Sequence, residues 1–222
     1  MEPGVSSFGG PRPRTVGILG AGRVGTAVAR QALRAGLDVQ IAASGDPADI
    51  RLIIEVMAPG AIAVTTADAV RAADVVVLTL PLRKFDTLDP DALAGKVVVD
   101  AMNYWHETDG NIAALAAASS SSEMVQEFLV GARLVKTLNH IGYHELESDH
   151  SPAGTPGRRA LAVAGDDAAA RAVVMALVDH LGYDAVDGVV LEPDTEIFTG
   201  SHDRAGLEAL LAAHSRQEDA NA

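Results

Sequence analysis

The chain has 222 residues, 48% of them hydrophobic and 21% charged, a composition that folds rather than staying disordered. Its formal net charge of −13 argues against DNA, RNA or an anionic membrane as main partner, since those need clustered Lys and Arg. The absence of cysteine excludes disulfides, thiolate nucleophiles and cysteine-ligated metals.

Residues 1–13 are rich in Gly, Pro and Ser, lack a hydrophobic period and read as a flexible tail. They hold no apolar signal-peptide core, and no later run approaches the roughly 20 apolar residues of a spanning helix. The expectation is a cytoplasmic protein. TVGILG reads as a first strand and RVGTAVARQALRAG as an Ala-rich helix stopped by Gly36. DVQIAA is a second strand, followed by a helix with Asp46 as N-cap and Pro47 at its first position. AIAVTT, DVVVLTL, KVVVDAM and ARLVKTL follow as strands three to six, with TADAVRAA as a short helix between the third and fourth. Ser122 is placed as the cap of a helix EMVQEFLV. RRALAVAG is a seventh strand, then comes a long helix capped by Asp166 or Asp167, a short strand YDAVD and a final helix DRAGLEALLAAH.

This alternation implies an α/β fold, a Rossmann-type doubly wound and mostly parallel sheet with a small C-terminal extension. Residues 14–147 are expected to form the NAD(P)-binding domain. Residues 148–214 are expected as a C-terminal α/β segment completing a cleft, and residues 215–222 as a second tail.

Gly20, Gly22 and Gly25 form G-x-G-x-x-G where a strand turns into a helix, the context that gives this pattern its meaning. The first glycine permits the tight turn, the second lets the backbone approach a pyrophosphate, and the third lets the helix sit close to the sheet. NAD-binding versions place Asp or Glu about 20 residues on, to receive the ribose hydroxyls. Here that position falls on Ala42 or Ala43, which carry no acceptor. A missing carboxylate removes repulsion from a 2′-phosphate, and Ser44 can donate to one. Arg23 adds charge nearby, so NADP is expected over NAD.

Ligands of such sheets bind outside the carboxyl ends of the strands. TLPLRKF, DAMNYWHETDG and LNHIGYHELESDH then surround the nicotinamide end. Tyr104, Trp105 and Tyr143 fall in the last two loops, with His106, His140, His144 and His150. Such a concentration would suit a flat ring stacked on the nicotinamide. No G-x-S-x-G elbow, H-E-x-x-H pair or placed general base is found, and no metal site is expected. Direct hydride transfer between two redox cofactors needs no base, so no catalytic side chain is assigned.

The order of VGILGAGRVGTAVARQALRAG, ADVVVLTLPLRKF, GKVVVDAMNYW, SSEMVQEFLVGARLVKTLNHIGYHEL and ALAVAGDD resembles the F420-dependent NADP reductases, from about Thr15 to about His214. The resemblance implies a Rossmann domain, a homodimer, and reversible hydride transfer between NADP and the deazaflavin F420. It also implies that Gly20, Ala21, Gly22, Arg23, Val24 and Gly25 hold the pyrophosphate, that Ser44 lies at the 2′-phosphate and that Leu80 and Pro81 flank the nicotinamide ribose. Met102 and Asn103 would then lie by the nicotinamide, with Asn103, Tyr104, Trp105, Asn139 and His140 lining the substrate cleft. Family members carry Ser-Arg at the end of strand two, where this chain has Ala43-Ser44. Arg158 and Arg159 are the candidates for the F420 phosphate and glutamate tail. The alternatives are a reductase of a flavin, metal chelate or small carbonyl compound on the same frame, or a non-catalytic NADP-binding sensor. In each case the partner is a small molecule rather than nucleic acid or membrane.

Overall fold

The structure, a computed structural model, describes residues 8, 11–116, 118, 120–188 and 202–221. Six strands form one parallel sheet: β1 (Thr15–Leu19), β2 (Asp38–Ala42), β3 (Ile62–Ala63), β4 (Val75–Leu78), β5 (Val97–Asp100) and β6 (Arg133–Lys136). Their order is β3-β2-β1-β4-β5-β6, the Rossmann order. β4 (VVVL) and β5 (VVVD) are buried along their whole length, as strands covered on both faces must be. Side chains alternate between two cores. Val75, Val77 and Val99 face one with α1 (Arg23–Arg34), and Val76, Leu78 and Val98 face the other with α3 (Thr66–Ala72).

α2 (Pro47–Met57) starts as expected, with Asp46 Oδ1 accepting from the Ala48 amide at 2.8 Å. α4 (Pro90–Leu93) repeats that Asp-Pro start, with Asp89 accepting from Asp91 and Ala92. α5 (His106–Asp109) and a 3₁₀ turn over Leu82–Thr87 fill the loops after β5 and β4.

Several boundaries differ from the sequence reading. β3 spans two residues because Thr65 turns to cap α3, accepting from the Asp68 amide at 3.1 Å. α6 (Ser121–Phe128) is capped by Ser120, not Ser122, which frees the Ser122 hydroxyl to donate to Asp100. Asp167 caps α8 (Ala168–His180) through the Ala169 and Ala170 amides. Much of the expected N-terminal tail lies outside the described residues, but Phe8 packs on the core and Pro13 is buried. α9 (Arg204–Asn221) runs through residues expected as a C-terminal tail, where Arg, Gln, Glu and Ala favour helix.

β7 (Ala160–Val163) and β8 (Asp184–Asp187) pair with each other in a separate parallel sheet rather than extending the first. One antiparallel bridge, Lys136 with Ala164, joins β7 to β6. The ladder stops there because side chains take over. Thr137 Oγ1 donates to the Ala162 carbonyl at 2.7 Å, and the Ala162 amide donates to His140 Nε2 at 3.0 Å. α7 (Glu145–Ser148) docks on α1 through an Arg30–Glu147 ion pair, and Gln31 reaches the Leu181 carbonyl.

Candidate functional site

Because the six strands are parallel, the loops after β1, β2, β4, β5 and β6 share one edge of the sheet. Hydrogen bonds stitch that edge together laterally. The Gly20 amide donates to Ala42 O at 2.8 Å, and Thr79 Oγ1 donates to Gly20 O at 2.9 Å. The Ala101 amide reaches Leu78 O at 3.2 Å, and the Thr137 amide reaches Asp100 O at 3.4 Å. Glycine loop, Ser44, Leu80-Pro81, Met102-Asn103 and Asn139-His140 are thus neighbours along one rim.

The glycine loop is shaped for a backbone ligand. Gly20 has φ +127° and lies against Thr79, so a Cβ there would sit 2.7 Å from Thr79 backbone and side chain. A Cβ at Gly25 would lie 1.8 Å from the Gly20 carbonyl oxygen, so only glycine lets α1 approach this closely. At Gly22, in contrast, a Cβ would meet nothing within 4 Å. Gly22 is the N-cap of α1 and offers no capping side chain, and the first turn holds no acid. The amides of Arg23, Val24 and Gly25 have no intrahelical acceptor and, with the helix dipole, provide an anion cradle. Ala21 and Val24 pack half-buried on the core while Gly22 and Arg23 are exposed.

At the end of β2, Ala42 is buried, Ala43 is half-buried, and Ser44 is exposed. Asp46 is engaged as the α2 cap, so no carboxylate takes the ribose-binding position at the strand end. Leu80 is half-buried and Pro81 exposed after β4.

The loops after β5 and β6 rest on a buried ion pair that the sequence reading did not identify. Lys136 and Asp100 are 5% and 0% exposed, with Nζ 3.1 Å from Oδ2. Asp100 Oδ1 accepts from the Met102 amide at 2.9 Å, Ser122 Oγ donates to Oδ2 at 3.0 Å, and Lys136 Nζ also donates to the Met102 carbonyl at 2.6 Å. The Met102 residue is thereby held at both its N–H and its C=O. The available signal was the acid ending KVVVD beside the lysine ending ARLVK, at facing positions of adjacent parallel strands.

Beyond this pair a polar chain crosses the rim. Asn103 Nδ2 donates to Asn139 O at 2.7 Å, and Asn139 Nδ2 donates to Asn103 Oδ1 at 3.3 Å. His140 Nε2 accepts from Ala162, which assigns the ring proton to Nδ1 and makes it the donor to Asn139 Oδ1 at 3.2 Å. Burial, reinforced by the Arg159 and Lys136 charges, lowers the His140 pKa to about 4, so the ring is neutral. Between Thr137 and Asn139, Leu138 adopts φ 63°, a conformation that costs a leucine about 1–3 kcal/mol and so has to be held by its surroundings.

Other expected residues do not converge. Tyr104 packs on the α3-side core with its hydroxyl donating to Gly110 O, whereas Tyr143 packs on the opposite, α1-side core. Trp105 is 59% exposed. The three rings therefore form no common stacking surface, because the two tyrosines serve opposite faces of the sheet. Arg158 is buried against Asp179 and Asp184, and Arg159 against Asp149 and Glu145, so neither is a free anion site. His140 and His144 diverge, the first inward and the second exposed beside Tyr143. Among the described residues no group of three or more His, Asp or Glu side chains is placed to hold a metal. A cavity of about 240 Å³ lies away from the rim, lined by Arg12, Ser151, Arg158, Asp179 and His180. Arg158 and Asp179 in its wall already pair with each other, and the convergence of backbone donors at the rim is the better guide to a ligand.

Comparisons with known proteins agree with this geometry. The family model for "NADP oxidoreductase coenzyme F420-dependent" matches residues 15–104, from β1 to the loop after β5. No curated protein sequence matches. Among solved structures, a hypothetical protein from Sinorhizobium meliloti is 30% identical over 78% of this chain and 83% of its own, with a TM-score of 0.64. A protein of Arthrobacter sp. FB24 assigned as an F420-dependent NADP-reductase is 25% identical over 79% of this chain and 84% of its own, with a TM-score of 0.62. The 3-hydroxyisobutyrate dehydrogenase of Mycobacterium tuberculosis, 16% identical over 80% of this chain and 55% of its own with a TM-score of 0.55, shares the fold. With its Rossmann sheet, its glycine loop and these matches, the chain belongs to the F420-dependent NADP oxidoreductase family.

Proposed function

We propose that the protein transfers a hydride between NADPH and a second, planar redox partner, with F420 the first candidate. The observation that carries this reading is the open backbone cradle at Gly22, set beside a β2 end that holds a serine and no ribose-binding carboxylate. The cradle fits a pyrophosphate: its donors are backbone amides at a helix start, Gly22 offers no capping side chain, and a Cβ built at Gly22 meets nothing within 4 Å.

In this reading the amides of Arg23, Val24 and Gly25 bind the pyrophosphate, and Ser44 donates to the 2′-phosphate. Leu80 and Pro81 wall the ribose. The nicotinamide supplies the hydride, so the chain's own task is to bring two rings face to face and exclude water. Met102 and Asn103, held by Lys136, Asp100 and Asn139, give the nicotinamide end a fixed floor. The neutral His140 keeps Asn139 in one orientation and moves no proton. Trp105, exposed at the start of α5, is the aromatic ring left available to a second substrate.

The test is purified protein mixed with NADPH and oxidised F420, followed by the loss of F420 absorbance. Turnover is expected. Bound NADPH without turnover at saturating F420 overturns F420 as the partner, and a screen of flavins, metal chelates and small carbonyl compounds then reads the alternative substrates.

A further inference from the structure

Trp105 is the single tryptophan of the chain, and it is 59% exposed. Large aromatic side chains are usually buried, and one held open at a rim offers a flat ring a surface to stack on. It stands two residues past Asn103, as the N-cap of α5.

The turn after β4 brings positive charge beside it. A 3₁₀ turn has three residues per turn, so Leu82 and Phe85 share the buried face and Arg83 and Lys84 are left exposed. Among the described residues neither cationic side chain has an ion-pair or hydrogen-bond partner. Acids outnumber bases 30 to 17 in this chain, so cations without an acid are a signal. Arg30, Arg133, Arg159 and Arg171 all have one. Arg23 and Arg51, which also lack an ion pair, belong to α1 and α2 at the phosphate end, and Arg12 and Arg14 precede β1 at the opposite edge of the sheet. The exposed acids of the same two turns, Asp86 and Glu107, are bonded to neither Arg83 nor Lys84.

One buried carboxylate ties ring and charge together. Asp109, 8% exposed, accepts from the Arg83 amide at 3.2 Å through Oδ1 and from the Trp105 amide at 2.9 Å through Oδ2. Its own amide donates to the Trp105 carbonyl at 2.7 Å. The backbones of Arg83 and Trp105 therefore meet at one side chain, and a buried acceptor is costly to leave unpaired.

We propose that Trp105, Arg83 and Lys84 form the recognition site for the second substrate, a planar ring bearing an anionic tail, and that Asp109 is the positioning residue that fixes the spacing of the ring and charge contacts. Trp105 stacks on the ring. The two cations receive phosphate or carboxylate groups, Arg83 through paired N–H donors and Lys84 as a point charge. They take the place expected for Arg158 and Arg159, whose guanidinium groups are already bonded. This assignment rests on the reading of the protein as a hydride-transfer enzyme with a planar partner.

Quenching of Trp105 fluorescence, in the presence of excess NADP, reads binding without turnover. The probes are oxidised F420, the same deazaflavin without phosphate and glutamates, FMN and riboflavin. The tailed member of at least one pair should bind at least about tenfold more tightly than its tail-free counterpart, and high salt should shrink that advantage. Arg83→Glu/Lys84→Glu should abolish the advantage and leave tail-free binding unchanged. Asp109→Ala should lower it with NADP affinity unchanged by calorimetry, and Asp109→Asn, which keeps an acceptor, should recover part of it. Equal affinities within both pairs, no quenching by any probe, or a tail advantage that survives Arg83→Glu/Lys84→Glu overturns the site. Unaltered tail advantage in Asp109→Ala overturns the positioning role. F420 turnover without a tail advantage keeps the hydride-transfer reading and overturns this one, whereas tail-dependent binding without turnover does the reverse.

Discussion

His140 shows how burial decides a residue's role. Its Nε2 accepts the Ala162 amide and its Nδ1 is committed to Asn139, so the fold needs the neutral ring. An unfolded histidine titrates near 6.5 and the folded one at about 4. Below pH 6.5 the unfolded chain therefore binds a proton that the folded chain refuses. The resulting stability is intact above that pH and is lost as acid is added down to about pH 4, by about 3 kcal/mol in all. Urea melts at pH 7, 5.5 and 4.5 should show this loss, and His140→Gln should flatten it; parallel pH profiles for the two proteins would contradict the assignment. Gly25 is a second residue-scale test. With the Gly20 oxygen 1.8 Å from an added Cβ, Gly25→Ala has to displace α1 from the loop. The expected cost is about 2–4 kcal/mol of stability, with loss of NADPH binding by calorimetry.

Among the elements, β5 and β6 would carry the nicotinamide end in the proposed reading. Lys136 and Asp100 are buried as a pair, so removing one leaves a bare charge. Lys136→Met should cost about 3–5 kcal/mol, and Lys136→Met/Asp100→Asn should recover a large part of it; equal losses would contradict a paired role. The strand and helix order, the glycine turn and the Asp46 cap were legible because each is written in local chemistry: apolar runs, glycines at fixed spacing, Asp before Pro. The pairing of β7 with β8 in a sheet of its own was not legible, because the place of β7 is set by Thr137 and His140, side chains distant in sequence that bond to Ala162. The aromatic residues misled for a related reason. Adjacency in the loops does not reveal that Tyr104 and Tyr143 serve opposite faces of the sheet. Lys136 was visible but could be placed only once β5 and β6 were known to be neighbours.

At the scale of the whole molecule, one parallel sheet collects five loops on one rim, and a small β7–β8 sheet braces the loop after β6. No described helix is long and apolar enough to cross a membrane. In the proposed reading the labour divides along the rim: β1 with α1 offers the phosphate cradle, β2 ends without a carboxylate, and β5 with β6 builds the floor. The central claim is that this arrangement selects NADP. Titration calorimetry of the native protein and of Ala43→Asp with NADPH and NADH tests it directly. The native protein should bind NADPH at least about tenfold more tightly than NADH, or about 1.4 kcal/mol, and Ala43→Asp should lose that preference. Equal affinities in the native protein, or a preference for NADH, would contradict it.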